Sequence, residues 1–227
     1  MKRLLAIETS GEACSVALSI GEEVRENYQH APMRHAELLL PAVRSLLDEA
    51  GIKPGQLDAI VFGRGPGSFT SLRIGVGVVQ GLAWGAELPV VPVSSLAAVA
   101  QQALDGASDT DLPVVVAMDA RMEEVFCGSF HPGGDGMVAA KESERVCAPG
   151  LLDAGEEPFI AAGNGFDRYP DLAVLKGRAV ACYPELWPRA STVIRLAENW
   201  LKVNEALPAA MAQPVYIRNE VASKPAS

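Results

Sequence analysis

The sequence predicts an α/β chain made of two related lobes, and two patterns carry that prediction. An apolar run at 57–62 is followed by a glycine-rich turn and then by a helix-like run at 71–85, which is the order of a strand, a turn and a helix. The apolar segment 4–8 has a counterpart at 115–119, and both end in a carboxylate before a short turn and a second strand. A hairpin that appears twice indicates two lobes of related architecture.

The first half of the chain continues with further strand and helix patterns. Pro41 removes one hydrogen bond from the helix predicted around it, so that helix is expected to start or kink nearby. Ser94 is a typical N-cap residue and predicts the start of another helix. The strands and helices predicted for this half cover 4–8, 14–20, 23–28, 34–50, 57–62, 71–85, 90–93 and 95–104.

The polar segment 105–112 is rich in turn-forming residues and is the predicted linker between the lobes. We therefore divide the chain into an N-terminal lobe at 1–108, which carries the helices expected to bind partners, and a C-terminal lobe at 109–227. The last helix is amphipathic and is expected to pack back on the N-terminal lobe. The elements predicted for the second lobe are strands at 115–119 and 124–130, a glycine-rich loop at 132–136, a strand at 158–162 and a helix at 191–203.

Composition limits the classes of protein to which the chain can belong. A chain of 227 residues with 49% hydrophobic residues can bury a full core. Its net charge of −9 argues against binding nucleic acid unaided, because phosphate binding needs clustered Lys and Arg. The apolar run at 76–88 is too short to span a bilayer, and the first residues do not form a secretory signal. The four cysteines form no Cys-x-x-Cys pair, so we expect reduced thiols and a cytoplasmic location.

The most distinctive motif is the segment Gly65-Pro66-Gly67-Ser68-Phe69-Thr70-Ser71-Leu72-Arg73-Ile74-Gly75. A helix that starts after a glycine turn leaves backbone N–H groups free to hold an anion, which favours a phosphate-binding loop. The same glycines also suit a tight turn that lets the helix pack closely on the sheet, and the spacing alone leaves both interpretations open. The motif is neither a Walker loop nor a Gly-x-Gly-x-x-Gly fingerprint.

This motif resembles the signature of the TsaB (YeaZ) family, although Ser71 stands where that family usually has glycine. Four further segments resemble the same family, and they are Leu5-Ala6-Ile7-Glu8-Thr9-Ser10, His35-Ala36-Glu37-Leu38-Leu39-Leu40-Pro41, Met118-Asp119-Ala120-Arg121-Met122 and Pro214-Val215-Tyr216-Ile217-Arg218-Asn219-Glu220. The resemblance implies a duplicated, two-lobed actin/Hsp70-like fold (ASKHA, ribonuclease H-like). In that superfamily each hairpin turn holds phosphates of a nucleotide that lies between the lobes.

The resemblance also implies a function, because TsaB proteins are the non-catalytic partners of the TsaD enzyme in bacterial tRNA threonylcarbamoyladenosine synthesis. TsaD is implied to bind metal, ATP and threonylcarbamoyl-adenylate and to transfer the threonylcarbamoyl group to tRNA adenosine at position 37. TsaE, an ATPase, is implied to join the complex. We therefore expect a homodimer, a TsaD heterodimer and a ternary complex with TsaE, with tRNA bound only through the complex and no membrane association. The alternative is a free-standing nucleotide-dependent ASKHA-type enzyme, a kinase or ATPase.

The two predicted hairpin turns differ in a way that argues against ATP hydrolysis. The first, at 8–11, keeps hydroxyls and a glycine, whereas the second, at 119–124, has three carboxylates, a bulky Met122 and no glycine. Close approach of backbone to a phosphate needs small residues, and carboxylates repel phosphate unless a metal intervenes. We expect no catalytic residues and no tightly bound cofactor, with at most a weakly held nucleotide at the subunit junction. The residues of the vestigial nucleotide site would be Glu8, Thr9, Ser10, Gly65, Gly67 and Ser68.

The histidines and serines give little support to a metal site or a peptidase. His30 and His35 are five positions apart, so they do not share a helix face, and His131 is distant in sequence. The TsaD homologue carries a His-x-x-x-His metal pair, which this chain lacks. A serine nucleophile with His35 as its base is disfavoured because no Gly-x-Ser-x-Gly elbow is present, and serine in a glycine turn is more often a helix cap. The serines considered are Ser10, Ser68 and Ser94.

Two helices carry patterns that predict an interface. The helix at 34–50 has two apolar stripes, whereas a helix buried only against its own sheet needs one. In the helix at 71–85, Gly77, Gly81 and Gly85 fall four apart, which lets another helix approach closely. Helix packing inside a single domain is the alternative explanation. The residues predicted for the dimer and TsaD interface are His35, Leu38, Leu39, Ala42, Leu46, Ile74, Gly77, Val78, Gly81 and Leu82.

Overall fold

The computed structural model describes residues 2–218 and shows two β-sheets, each with helices packed against it. The first sheet has the strand order β3-β2-β1-β4-β5. Its strands are β1 (Arg3–Glu8), β2 (Ala13–Ile20), β3 (Glu23–His30), β4 (Ala59–Gly63) and β5 (Val90–Val93). β1 pairs antiparallel with β2 and parallel with β4. The central strands β1 and β4 are buried on both faces, which explains their nearly continuous apolar sequences.

The second sheet repeats this arrangement with the strand order β11-β10-β6-β7-β8, and a further strand, β9, pairs with β7. The strands are β6 (Val114–Asp119), β7 (Val125–Pro132), β8 (Val138–Ala140), β9 (Arg145–Cys147), β10 (Ile160–Ala162) and β11 (Ala181–Tyr183). β6 pairs antiparallel with β7 and parallel with β10, as β1 does with β2 and β4. Glu8 and Asp119 therefore end equivalent strands. The predicted duplicated, two-lobed fold is confirmed.

Two of the long helices, α2 and α3, begin at serine caps. Ser68 accepts a hydrogen bond from the Ser71 N–H (3.4 Å) at the start of α2, and Ser94 accepts one from the Ala97 N–H (3.0 Å) at the start of α3. α1 begins six residues before Pro41 and continues past it. The helices are α1 (His35–Ala50), α2 (Phe69–Ala86), α3 (Ser95–Gly106), α4 (Gly165–Arg168), α5 (Ala173–Arg178) and α6 (Ala190–Trp200).

Two helices pack on the sheet of the opposite half of the sequence. α3 precedes the predicted linker but packs on the second sheet, against β6, β7 and β10. α6 follows the second sheet but packs on the first, against β1, β2 and β4. α3 and α6 also contact each other, so they form the middle of the molecule. The boundary at residue 108, which assigns α3 to the N-terminal lobe, stays a prediction of the sequence.

The core is divided by the two sheets into apolar clusters. One face of the first sheet, with Leu5 and Phe62, packs under α1 and α2, while the other face, with Val61, packs under α6. In the second sheet, Val116 packs under α3 and Phe159 lies in the cluster on the opposite side. Burying a large apolar side chain stabilises the fold by about 1.5–3 kcal/mol, so these layers hold both sheets in place.

Two further properties of the described residues concern the character of the helices and the thiols. None of the helices within residues 2–218 has both the length and the apolar character that crossing a membrane requires. The four cysteines are free thiols, and two that are distant in sequence, Cys127 and Cys147, have their Sγ atoms 3.6 Å apart on neighbouring strands. Burial raises the pKa of the Cys127 thiol to about 12, so this thiol is protonated at neutral pH.

Candidate functional site

The two hairpin turns face one cleft, which holds a cavity of about 370 Å³. Both turns, the loop at 65–68 that precedes α2 (the glycine-rich loop from here on) and the C-terminal segment contribute to its walls. Of the predicted nucleotide residues, Ser10, Gly67 and Ser68 line the cavity, while Glu8 and Thr9 are buried behind the first turn. Gly65 is also buried and adopts a positive φ of 92°. Much of the lining is apolar or aromatic, including Leu96, Val99, Met118, Phe126 and Trp187.

Glu8 is fully enclosed at the base of the first turn. Its Oε1 accepts a hydrogen bond from the Ser10 N–H (2.6 Å), and its Oε2 accepts one from the Ser95 hydroxyl (2.7 Å). Burial raises the pKa of this carboxyl group, and the hydrogen bonds offset only part of that effect. Gly63 on β4 lies directly against the carboxylate, and a Cβ at that position would collide with it. The Glu8 carboxyl group is thus hydrogen-bonded only to uncharged donors, and the backbone packs closely around it.

The glycine-rich loop packs directly on the first turn. The Ser68 N–H donates to the Ser10 carbonyl oxygen (2.8 Å), and a Cβ on Gly67 would collide with that same carbonyl group. The Thr9 hydroxyl donates to the Ser71 carbonyl oxygen (2.9 Å) in the first turn of α2. These contacts use groups that a phosphate would otherwise engage. They are the contacts of a close-packed turn, one of the two interpretations that the spacing allowed.

Trp187 covers the first turn from the other side of the cleft. A Cβ on Gly11 would lie 2.5 Å from the indole ring, so the ring rests on the backbone of that glycine. The His30 ring is 5.8 Å from the indole between centroids, and His30 Nε2 lies 3.4 Å from a carboxylate oxygen of Glu12. The space beside the only glycine of this turn therefore holds an aromatic side chain.

Asp119, the equivalent of Glu8 in the second sheet, has ionic partners. Its Oδ1 accepts hydrogen bonds from the Tyr169 hydroxyl (2.6 Å) and the Arg121 N–H (2.9 Å). Its Oδ2 lies 3.1 Å from nitrogen atoms of Arg121 and of Arg168. The Asp119 N–H donates to the side-chain oxygen of Asn164 (2.8 Å). The carboxylate is nearly buried, but two half-exposed guanidinium groups neutralise it.

The second turn has three consecutive residues in the left-handed region. The φ angles are 61° at Arg121, 53° at Met122 and 59° at Glu123. Each such residue that is not glycine costs about 1–2 kcal/mol relative to a right-handed conformation. Arg121 also reaches Glu12 of the first turn (3.0 Å), so one guanidinium group bridges the two turns across the cleft. The side chains of this ion pair therefore occupy the space between the two turns.

The C-terminal segment passes over the cleft from the first half to the second. The Val215 N–H donates to the Arg64 carbonyl oxygen (2.8 Å), and the Tyr216 ring packs on Phe69 with centroids 5.3 Å apart. Arg218 then forms an ion pair with Glu124 beside the second turn. The family-like motif at 214–220 therefore links both halves through residue 218. Its last two positions lie outside the described residues.

The structure corrects part of the predicted helical interface. The stripe of α1 that was assigned to a partner is buried in the chain's own core, so its side chains are not available at the surface. Those residues are Leu39, Ala42 and Leu46. The assignment fails because the two stripes merge into one wide face that packs on β2 and α2. The partly buried positions of the predicted set are Leu38, Ile74, Val78 and Leu82.

His35 is also corrected. Its ring is buried and Nε2 lies 3.2 Å from the Ala13 carbonyl oxygen of β2, while Glu37 pairs instead with Arg34. Burial lowers the pKa of His35. The ring contacts backbone rather than a serine hydroxyl, and Ser68 caps α2. No cluster of three or more potential metal ligands occurs within residues 2–218.

The glycine stripe of α2 is open. A Cβ added to Gly77, Gly81 or Gly85 would meet nothing within 4 Å, so the fold of the single chain gives no packing reason for glycine there. Trp84 on the same helix is 67% exposed, and Leu40 on α1 is 53% exposed. Neither residue is among the predicted interface positions. Trp84 follows Gly77 by seven positions, or two helical turns, and that spacing could have identified it.

Comparison with known protein families identifies the broad class to which this chain is related. A family model described as "TsaD: tRNA N6-adenosine threonylcarbamoyltransferase" matches residues 26–176. The chain is thus related to the threonylcarbamoyltransferase family over more than half its length.

Similarity over nearly the whole chain is to TsaB and YeaZ proteins. The chain is 36% identical to the tRNA threonylcarbamoyladenosine biosynthesis protein TsaB of Escherichia coli K12, covering 98% of this chain and 97% of that protein. It is 35% identical to TsaB of Haemophilus influenzae, covering 97% and 95%. The solved structure of YeaZ from Pseudomonas aeruginosa superposes with a TM-score of 0.86 at 41% identity, covering 95% of this chain and all of that one. The chain belongs to the TsaB (YeaZ) family.

Proposed function

We propose that this protein is a non-catalytic assembly subunit that TsaD requires, together with TsaE, for threonylcarbamoyl transfer to tRNA adenosine at position 37. The relatives are named for tRNA threonylcarbamoyladenosine biosynthesis, which supports the pathway. The match to a TsaD family model supports a shared ancestry with the proposed partner. In this role the protein works in the cytoplasm, and tRNA contacts it only within the complex.

The observation that carries the proposal is the open glycine face of α2. Interior glycines destabilise a helix by about 0.5–1 kcal/mol each relative to alanine, and nothing in the described chain fills the space above Gly77 and Gly81. Close approach of a second helix offsets that cost. TsaD and a second copy of this chain would use this face in turn, with the partly buried Ile74, Val78 and Leu82 at its edge.

The absence of catalysis rests on the two turns. Trp187 on Gly11 and the Arg121 bridge to Glu12 fill the places beside the turns where phosphates would lie. We therefore expect the isolated protein to have neither ATPase nor peptidase activity. Calorimetric titration with ATP and magnesium should give no heat of tight binding. Turnover of ATP that is lost on changing Glu8 or Asp119 would overturn this part of the proposal.

The test of the assembly role is a charged side chain on the open face. Gly81→Arg should abolish both the homodimer and TsaD binding, because an unpaired charge would face an apolar helix at a cost of a few kcal/mol. Gly177→Arg is the matched control, since Gly177 is also an exposed helical glycine with open space around it but lies on α5, in the other half of the chain. Gel filtration and pull-down with TsaD measure the two interactions, and circular dichroism checks folding. Full-strength TsaD binding by the Gly81→Arg monomer would mean that the two surfaces are distinct.

A further inference from the structure

Two cysteines that are distant in sequence meet on neighbouring strands of the second sheet. Cys127 lies on β7 and Cys147 on β9, and their Sγ atoms are 3.6 Å apart. The two strands are antiparallel, and their register pairs Cys127 with Arg145 and Cys147 with Val125. Diagonal neighbours two positions apart in such a register point to the same face, so both thiols lie on one side of the sheet.

The two thiols differ in their access to solvent. Cys127 is 1% exposed, and its thiol lies within hydrogen-bond reach of the Arg145 carbonyl oxygen (3.6 Å). Cys147 is only partly buried. A dissolved oxidant therefore reaches Cys147 first, and Cys127 is the enclosed neighbour that completes a bond. An accessible thiol beside a resolving thiol is a common arrangement among oxidant-sensitive cysteines.

The strand that carries Cys147 is short enough to follow a new bond. β9 has three residues, and within the described chain its only strand partner is β7. A disulfide holds its sulfur atoms about 2.05 Å apart, so this pair must close by about 1.5 Å. Diagonal neighbours in a sheet have Cα atoms about 7–8 Å apart, whereas disulfides usually span about 4.4–6.8 Å. A small displacement of β9 against β7 therefore suffices.

We propose that Cys127 and Cys147 form an oxidisable dithiol, which hydrogen peroxide converts into a disulfide between β7 and β9. One peroxide oxygen is first transferred to the Cys147 sulfur, which gives a sulfenic acid and releases one water molecule. The Cys127 sulfur then attacks the Cys147 sulfur, and the Cys127 proton leaves with the hydroxyl group as a second water molecule. The two thiols give up two electrons and two protons, and the peroxide takes up both.

The disulfide anchors a contact between the two halves of the molecule. Glu144 directly precedes β9, accepts a hydrogen bond from the hydroxyl of Ser94 at the start of α3, and lies 3.2 Å from the guanidinium group of Arg64 after β4. In the reduced chain β9 is held by its short ladder, and oxidation adds a covalent tie three positions from Glu144. Both cysteines belong to the apolar cluster that contains Phe159, so the site is independent of the α2 face and of the assembly role.

Peroxide titration of the folded protein, followed by unfolding, alkylation with iodoacetamide and peptide mapping, tests the site. Alkylatable cysteines of the wild type should fall from four to two, with Cys127 and Cys147 in linked peptides, and dithiothreitol should restore all four. Cys182→Ser is the matched control, because Cys182 is also a partly buried free thiol but lies on β11. This variant should form the same linkage.

Single substitutions separate the two roles. Cys127→Ser lacks the resolving thiol, so Cys147 should accumulate as a sulfenic acid that dimedone traps. Cys147→Ser should keep Cys127 reduced at the same peroxide concentration. Phenylarsine oxide, which binds two neighbouring thiols through one arsenic atom, gives a readout without an oxidant. It should bind the wild type and Cys182→Ser but neither of the other two variants, and thermal melts check that each variant is folded.

The order of oxidation decides the outcome. Linkage of Cys127 to Cys147 before Cys182 is modified supports the proposal. Cys127 that stays alkylatable while Cys147 or Cys182 is oxidised overturns it, as does phenylarsine oxide binding that is unchanged in Cys127→Ser. Hydrogen exchange at the β9 amides should be slower in the oxidised chain than in the reduced chain. Equal exchange in the two forms would overturn the anchoring of β9.

Discussion

The turn after β1 and the turn after β6 occupy the same place in the duplicated topology, yet their carboxylates lie in opposite surroundings. Glu8 is enclosed by Ser10, Ser95 and backbone, with no cation in contact. Asp119 is nearly as buried but is neutralised by two arginines from the surface. The duplicated backbone sets where each carboxylate stands, and the local packing sets how its charge is accommodated.

The difference follows from what covers each turn. The first turn lies under the glycine-rich loop and Trp187, where there is no room for a long cationic side chain. The second turn faces solvent on one side, so Arg121 and Arg168 reach its carboxylate with their guanidinium groups still half exposed. Close packing controls the first turn and ion pairing controls the second. Four measurements test this contrast.

The largest effect is expected from Gly67→Ala, which places a methyl group against the Ser10 carbonyl of the first turn. The methyl group is attached directly to one backbone segment and the carbonyl belongs to another, so neither can move freely, and overpacking of this kind costs about 3 kcal/mol. Gly77→Ala is the matched control on α2, where the space is open; it should stabilise the monomer by about 0.5–1 kcal/mol. Urea unfolding at a concentration where the chain is monomeric measures both. Equal effects of the two substitutions would contradict close packing at the first turn.

The next effect is expected from Asp119→Asn at the second turn. The hydrogen bonds from the Tyr169 hydroxyl and the Arg121 N–H lose their charged acceptor, which should destabilise the fold by about 1–2 kcal/mol. The loss should shrink at high NaCl, because salt screens the exposed guanidinium groups.

Asp109→Asn is the control for this substitution, since Asp109 accepts the same kind of hydrogen bond from the Asp111 N–H without an arginine in contact. It should show neither the full loss nor the salt dependence. A salt-independent loss at Asp119 would mean that the ion pairs contribute little to the second turn.

Glu8→Gln tests the first carboxylate through pH. Burial raises the pKa of Glu8 above its ordinary value of 4.5, so its stabilising contribution is complete below that pH and is lost as the pH rises through the folded-state pKa. Melting temperatures of the wild type should therefore decline more than those of Glu8→Gln as the pH rises from about 5 to about 8. Parallel curves would show that Glu8 is not held neutral by its surroundings.

Glu26→Gln is a control of opposite sign. Burial raises the pKa of Glu26, but hydrogen bonds from Ser15, Ser191 and Arg189 outweigh it and lower the pKa overall. Its contribution to stability is therefore present above the ordinary value of 4.5 and is lost as the pH falls through the folded-state pKa. Glu26→Gln should flatten the acid side of the stability curve and leave the alkaline side unchanged.

The smallest effect is expected at Glu123, which is exposed and has a φ of 59°. Glu123→Gly relieves the left-handed conformation but adds freedom to the unfolded chain, so the net gain should be about 0.5 kcal/mol. Glu123→Ala keeps the Cβ and should give no gain. Equal stability of the two variants would mean that the second turn stores no strain at this position.

Much of the framework was predictable because its signals are local. The helices at 34–50, 71–85 and 191–203 follow from apolar spacing and caps, and the structure places helices there. The equivalence of the two hairpins was visible in the paired apolar runs ending at Glu8 and Asp119. The glycines of α2 face open space, and their role in an interface stays a prediction.

The sequence did not predict as well which apolar faces of the helices are buried in the core and which are exposed. The stripe with Leu39 and Leu46 has the same spacing as the stripe with Val43 and Leu47, and all four residues prove to be buried in the core. Sequence spacing tells how many faces of a helix are apolar but not which neighbours cover them. Cys127 and Cys147 are likewise neighbours only because β9 pairs with β7.

The sequence by itself determined most strands, the four long helices, the paired hairpins and the family, because each depends on the order of side chains along a short stretch or on motifs within it. It did not predict β8, β9, β11, α4 or α5, which are short. Only the tertiary structure decided the surroundings of the two turns. Trp187 meets Gly11, Arg121 meets Glu12, and α6 meets the first sheet across large separations in sequence. Burial and ion pairing are properties of atoms that become neighbours when the chain folds. They decide which groups surround Glu8 and Asp119, and no local pattern in the sequence contains that information.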